Sequence, residues 1–182
     1  MERMEERVVL VDENDAQVGT LEKQRAHREG RLHRAFSVFV LNSRGELLLQ
    51  RRAAEKYHSA GLWTNTCCSH PRPGERVDSA ARRRLREEMG IDCALTPLFA
   101  FTYRAQVGPG LVEHEYDHVF VARHDGDPQP SADEVDGWRW APVDQVAREV
   151  REHPDAFTPW FRVVFARPDW PDRLLAFRDA AR

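Results

Sequence analysis

Residues 62–91, LWTNTCCSHPRPGERVDSAARRRLREEMGI, bring two adjacent thiols (Cys67 and Cys68), an imidazole (His70) and an acidic helix into one short segment. Thiols and imidazoles can carry protons, and paired carboxylates attract a divalent ion that in turn binds phosphate oxygens. The combination suggests metal-assisted chemistry on a diphosphate. On the helix Arg84 and Glu88 stand i, i+4 with Glu87 beside them. Two carboxylates and a guanidinium therefore share the flank turned away from Leu85. That flank is either an ordinary solvated, salt-bridged face or part of a site.

A second set of residues is spread along the chain. His27 and His33 flank an EGR turn, His70 follows the cysteines, and Glu113 and Glu115 alternate around His114. On a strand, that alternation puts both carboxylates on one face and His114 on the other. Three imidazoles and two carboxylates suit a six-coordinate divalent ion with one open position, and mixed N/O ligation admits Mg²⁺, Mn²⁺ or Zn²⁺. Taken singly, each histidine fits a surface or hydrogen-bonded role better than that of a ligand, so the case rests on the set. A structural metal held by Cys67, Cys68 and His70 is the non-catalytic alternative, but adjacent cysteines rarely share one tetrahedral ion. Of the 27 basic residues only Lys23 and Lys56 are lysine. They are either survivors of an arginine-biased composition or compact charges kept for a phosphate.

These residues need elements to hold them. Residues 7–12 (RVVLVD) read as a strand, and Thr20 is placed to cap a short helix running to His27. Residues 35–41 and 46–50 flank Asn42-Ser43-Arg44-Gly45 as a hairpin, 51–61 form a polar loop, and 63–68 a short strand. A helix begins at Asp78 or Ser79 and ends before Gly90, with Val77, Ala81, Leu85 and Met89 on one stripe. Residues 98–106 and 111–123 give two strands across Gly108-Pro109-Gly110, then 124–137 a loop and 137–141 a short strand. The tail, 142–182, reads as two or three helices separated by prolines at 154, 159, 168 and 171. This order predicts an α/β layered domain with a mixed or antiparallel sheet rather than a parallel doubly wound one.

The 182 residues fit a single domain, 1–182, with a helical C-terminal tail. No apolar run reaches membrane-spanning length, and the acidic start MERMEER lacks the form of a secretory signal. The expected location is the cytoplasm. Three cysteines, two of them adjacent, are poor material for disulfides, and a net charge of -3 offers no general field for nucleic acid. Neither a nucleic-acid nor a membrane partner is expected. The chain is expected to be a monomer acting on a small molecule.

Read back from Gly90, the acidic segment resembles the Nudix box through Glu75, Arg83, Leu85, Glu87, Glu88, Gly90 and Ile91. The resemblance implies a Nudix-like α/β/α sandwich with a mixed, largely antiparallel sheet. Two positions depart from it: Ser69 stands at the opening glycine and Arg84 at a glutamate. Nudix hydrolases use the acidic cluster to hold Mg²⁺ and activate water, so a positive charge there works against hydrolysis of a small diphosphate, the alternative activity. Arg84 could instead clamp a diphosphate that is bound but not cleaved.

Further motifs narrow the likeness: TLEK-x3-H (20–27), RLHRAFS (31–37), LLLQRRA (47–53), LWTNTCCSHP (62–71), YRA (103–105), VEHE (112–115) and FTPW (157–160). With them the chain resembles the type 1 isopentenyl-diphosphate delta-isomerases, Nudix-fold enzymes of isoprenoid biosynthesis that interconvert isopentenyl and dimethylallyl diphosphate. The likeness implies that His27, His33, His70, Glu113 and Glu115 bind one metal. It also implies that Glu88 and the backbone carbonyl of Cys68 help hold a Mg²⁺ on the diphosphate, and that Lys23, Arg52, Lys56 and Arg84 bind the diphosphate itself. The family pattern N-x-x-C-x-H, counted from Asn65 to His70, selects Cys68 as the acting thiol and leaves Cys67 as a packing residue. Glu115, hydrogen-bonded by Tyr103, would deliver a proton to the terminal carbon and Cys68 would remove one further along. Trp160, with Trp63 as a second candidate, would face the cation between the two steps. Trp138, Trp140 and Trp170 are left to the core.

Overall fold

The strand His33–Leu41 is buried along almost its whole length, as a strand with neighbours on both edges and both faces must be. It is the spine of the fold. The structure, a computed structural model, describes residues 6–180; the first five residues of the acidic start and the last two of the tail lie outside them. In chain order the elements are β1 (Arg7–Val11), β2 (Gln17–Glu22), α1 (Lys23–Glu29), β3 (His33–Leu41), β4 (Glu46–Arg52), β5 (Trp63–Thr64), β6 (Cys67–Ser69) and α2 (Val77–Met89). There follow β7 (Leu95–Gly108), β8 (Leu111–Arg123), β9 (Val135–Pro142), α3 (Val143–Glu152), a 3-10 turn at Pro154–Ala156, α4 (Pro159–Phe165) and α5 (Trp170–Asp179).

Among the described residues one mixed sheet contains all the strands, and only β3 and β8 pair in parallel, from His33 opposite Glu115 to Leu41 opposite Arg123. The other edge of β3 is shared: β1 meets it at His33, β6 at Phe36–Val38 and β4 at Leu41. Period-2 alternation sorts the side chains. Phe36, Val38 and Val40 face α2, packing on Ala80, Ala81, Leu85 and Met89, while Phe39 and Leu41 face Phe161, Val164, Trp170 and Leu174 of α4 and α5. The expected α/β/α layering follows from these two cores. His33 and Ser37 share the parity of Phe39, as Glu113, Glu115 and Asp117 share that of Val119. Chemistry-bearing residues of both central strands therefore point to the α4 side.

Several expectations are corrected. The hairpin between β3 and β4 has a single paired position, Leu41 with Leu47; β4 then diverges to pair with β9 and β5, and β6 takes its place beside β3. The short strand at 63–68 is thus two strands, parted at Asn65-Thr66, whose side chains bond backbone carbonyls of Val38 and Leu48 across the gap. Residues 17–22 form a strand, and α1 starts two residues later than expected, capped by the Glu22 carboxylate on the N–H groups of Gln24 and Arg25 rather than by Thr20. Helix α2 starts at Val77 with Arg76 at its cap position. Strands β7 and β9 begin earlier than expected, at Leu95 and Val135.

Gly90 ends α2 at φ +67°, and a Cβ there would lie 2.9 Å from the backbone oxygen of Gln129. The close approach lets Gln129 and Ser131 donate to the carbonyls of Met89 and Glu88, which draws Glu134 alongside the helix.

Candidate active site

A cavity of about 520 Å³ is walled from both helical layers, by Arg84 and Glu88 of α2 and by Trp160 of α4. Its wall includes Lys23, Arg52, Lys56, Cys68, His70, Arg84, Glu88, Tyr103, Glu113, Glu115 and Trp160, which joins most of the residues marked by the sequence. His27 and His33 are fully buried behind the wall.

The five expected ligands converge. One atom each from His27, His33, His70, Glu113 and Glu115 lies within 4.8 Å of the others, so this buried cluster could bind a metal. His33 Nδ1 donates to the carbonyl of Arg31 at 2.8 Å, which leaves Nε2 turned inward, 3.2 Å from His70 Nε2. His70 Nε2 is 2.9 Å from Glu115 Oε1, and His27 Nε2 is 3.2 Å from Glu113 Oε2. Among the described residues His27 Nε2 and Glu113 Oε2 are buried without a hydrogen-bond partner, so the cluster fits a shared divalent ion that would satisfy them. Burial pushes His70 down to about 3, keeping it a neutral imidazole with a free lone pair. Burial also opposes the charged form of Glu113, but the adjacent imidazoles of His27 and His58 outweigh it and hold the carboxyl well below its ordinary value.

The proton-carrying candidates stand next to the cluster. Tyr103 Oη donates to Glu115 Oε2 at 2.6 Å, and burial raises the phenol well above its usual range, so it stays a donor. Cys68 is half-buried at the cavity wall, while Cys67, on the opposite face of β6, packs against α2. Burial pushes the Cys68 thiol up, with Arg52 pulling the other way. Trp160 enters from the first turn of α4, where Thr158 ties the segment to β5 through the Trp63 carbonyl and the Thr64 hydroxyl. The Arg52 guanidinium sits 5.2 Å from the Trp160 ring centre. Trp63 lies outside the cavity lining and stacks under Arg139, at 4.9 Å, and Arg51.

Three of the four cations on the cavity wall are already paired with carboxylates. Lys23 pairs with Glu6 at 3.1 Å, Lys56 with Glu134, and Arg84 with Glu87, Glu88 and Glu134. Arg84 therefore occupies the acidic flank of α2, and Gln50 Nε2 takes the other oxygen of Glu88 at 3.2 Å. Sequence reasoning did not find Tyr57, His58, Gln50, Asp117 or Glu134. The Lys56-Tyr57-His58 run inside a polar loop was the available signal; Asp117, two residues beyond Glu115, follows from the same alternation.

Residues 31–161 match the NUDIX domain family. The chain is 55% identical over 171 residues to an isopentenyl-diphosphate Delta-isomerase of Pectobacterium atrosepticum, covering 94% of each chain. It is 54% identical over 164 residues to isopentenyl-diphosphate Delta-isomerase 2 of Aromatoleum aromaticum, covering 90% of this chain and 87% of the other. Among solved structures it resembles a protein of Deinococcus radiodurans, at TM-score 0.74 and 24% identity over 88% of this chain and 97% of that one. A MutT protein of Methanosarcina mazei follows, at TM-score 0.61 and 18% identity over 83% and 96%. These two establish the fold alone. With identity above half along nearly the full length and the family's motifs gathered on one cavity, the chain belongs to the isopentenyl-diphosphate Delta-isomerases of the NUDIX superfamily.

Proposed function

We propose that the protein converts isopentenyl diphosphate to dimethylallyl diphosphate by adding one proton and removing another, through a tertiary carbocation. The observation that carries this is the Tyr103–Glu115 hydrogen bond, in the same cavity wall as Cys68 and Trp160. Glu115 gives its proton to the terminal CH₂, and the positive charge moves to the tertiary carbon facing Trp160. Cys68 takes a proton from the carbon beside the C–O carbon, and the double bond closes there. Lys23, Lys56 and Arg84 exchange their carboxylate partners for diphosphate oxygens, and Arg52, held by the His58 carbonyl, adds a fourth cation. Glu88 and the Cys68 carbonyl are the groups for a Mg²⁺ carried by the diphosphate. His27, His33, His70, Glu113 and Glu115 would hold a divalent ion, Mg²⁺, Mn²⁺ or Zn²⁺, whose charge tunes the proton affinity of Glu115. In this role the chain is a single-domain monomer of the reducing cytoplasm, with Cys68 kept reduced and acting as the base in its thiolate form.

The raised thiol of Cys68 favours a second assignment, in which it gives the first proton and Glu115 removes the second. Solvent-deuterium exchange separates the two. Cys68→Ala that still incorporates deuterium at the terminal carbon makes Glu115 the acid; loss of that exchange makes it Cys68.

Arg84 argues against hydrolysis, because it neutralises the carboxylates that would hold a catalytic Mg²⁺. The deciding assay incubates purified protein with isopentenyl diphosphate and Mg²⁺ and measures dimethylallyl diphosphate and released phosphate together. Isomer without phosphate is expected. Phosphate without isomer would make the chain a hydrolase, and neither product would favour a non-catalytic metal domain.

A further inference from the structure

The loop between β4 and β5 carries two residues that touch the His/Glu cluster from outside. His58, buried, has Nε2 3.0 Å from Glu113 Oε1. The Tyr57 hydroxyl meets His27 Nδ1, with the two rings stacked at 5.7 Å and 24°. Both contacts fall on the outward atom of a ligand. The inward atoms of the same two ligands, His27 Nε2 and Glu113 Oε2, are among the buried atoms that have no hydrogen-bond partner within the described residues.

A ligating imidazole needs its second nitrogen held, because that bond fixes both ring orientation and tautomer; a ligating carboxylate needs its second oxygen held for the same reason. With Tyr57 accepting from His27 Nδ1–H, Nε2 keeps its lone pair for the centre. With His58 donating to Glu113 Oε1, Oε2 is aimed at the same point. Two of the three remaining ligands repeat the pattern, His33 Nδ1 being held by Arg31 and Glu115 Oε2 by Tyr103, whereas His70 Nδ1 has no partner among the described residues. Packing does not account for Tyr57, which remains 40% exposed while its hydroxyl turns in to the imidazole. His58 reaches further, standing edge-on to the Trp160 ring at 6.0 Å while its carbonyl accepts from Arg52 at 3.3 Å.

We infer that Tyr57 and His58 are positioning residues of the metal centre, holding His27 Nε2 and Glu113 Oε2 toward one divalent ion. The inference rests on the cluster binding such an ion, as proposed for the reaction, and adds the two residues that aim its ligands.

Metal-free protein titrated with Mn²⁺, with free Mn²⁺ followed by electron paramagnetic resonance, tests it. Tyr57→Phe and His58→Phe should each weaken Mn²⁺ binding about 10- to 100-fold, the usual loss on removing an outer hydrogen bond. Their metal-free melting temperatures should stay close to wild type. His58→Gln, whose amide N–H can reach the same oxygen, should restore most of the affinity. Should His58→Phe fold poorly, Tyr57→Phe, which deletes one oxygen from a half-exposed ring, decides the matter by itself. Phenylalanine variants that bind Mn²⁺ as tightly as wild type would overturn the inference, as would a wild-type chain that binds none. Since affinity is the readout, wild-type protein that binds Mn²⁺ but makes no dimethylallyl diphosphate would defeat the proposed reaction alone.

Discussion

Tyr103 and Glu115 face each other across β7 and β8 as register partners, and the hydroxyl donates to Glu115 Oε2 at 2.6 Å while His70 holds Oε1 at 2.9 Å. Both oxygens of the carboxyl are thus fixed before substrate arrives, which is the preorganisation a proton-transfer step requires. Tyr103→Phe deletes one bond to a charged group, worth about 1.5–3 kcal/mol. In the proposed role that loss falls on kcat, by roughly 10- to 100-fold, with KM for isopentenyl diphosphate little changed. Steady-state kinetics check this. An effect confined to KM would remove Tyr103 from the chemical step.

Acid should unfold the metal-free protein through the same cluster. Burial lowers His70 from its ordinary 6.5 to about 3, so between those values the unfolded chain binds a proton there that the folded chain refuses. Stability is full above about pH 6.5 and declines as pH falls toward 3. Glu113 acts in the same direction: its lowered carboxyl keeps the folded state ionised where the unfolded state takes up a proton. His33 opposes them. Burial lowers it, but the hydrogen bond and charge of Glu115 win, so its contribution is present in acid and fades as pH rises through its raised value. His58, lowered by burial, acts with His70 and Glu113, while Asp117, raised by burial, acts with His33; three groups against two predict a melting temperature that drops between pH 7 and pH 4, and calorimetry of metal-free protein measures it. A flat profile would mean that the imidazole of His70 is not held neutral.

How much of this was legible depended on how local the signal was. The alternation of Glu113, His114 and Glu115 was enough to place both carboxylates on one face, and β8 was bounded at 111–123 because a short Gly-rich turn precedes it and a polar loop follows. Helix α2 was readable from its four-residue stripe and Gly90. The wide separation of β4 from β3 was not, because Asn42-Ser43-Arg44-Gly45 makes the same tight turn whether or not the strands stay paired beyond it. What separates them is β6, brought in from 67–69 by side-chain bonds of Asn65 and Thr66, a long-range contact with no local mark. Tyr57 and His58 escaped notice for a related reason: a loop has no period, so nothing in it says which way a side chain turns. Ion pairs such as Lys56–Glu134 join residues far apart in the chain, whereas the Arg84–Glu88 pair lies within one helix and was readable.

The face of Trp160 already carries one cation, with the Arg52 guanidinium 5.2 Å from its centre. A ring that attracts guanidinium from within a largely enclosed wall should stabilise a carbocation in the same way, by about 2 kcal/mol when water is excluded. Trp160→Leu keeps apolar volume and removes the π face. The expected result is a kcat lower by roughly 10-fold or more and a much smaller change in diphosphate affinity, read by comparing kcat with the Kd of a non-reactive diphosphate. Weakened binding at unchanged kcat would instead mean that the ring serves only to seat Arg52.

Cys67 and Cys68 are neighbours in β6, and the strand's alternation sends them into different environments. Cys67 is fully buried among Phe36, Val38, Ala81 and Leu85 on the α2 side. Cys68 lines the cavity with Glu115 and Trp160. The same change at the two positions should therefore fail in different ways. Cys68→Ser replaces the acting sulfur by a poorer proton carrier at almost constant size, and turnover should fall below detection while the melting temperature stays near wild type. Cys67→Ser puts a hydroxyl into an apolar core, at a cost of about 1–3 kcal/mol. For a chain of this length that lowers the melting temperature by roughly 2–4 °C per kcal/mol, while most turnover survives at 25 °C. Parallel activity and melting measurements on the two variants decide it, and a Cys67→Ser protein that folds but cannot turn over would shift the acting thiol by one residue and overturn the facing of the whole strand.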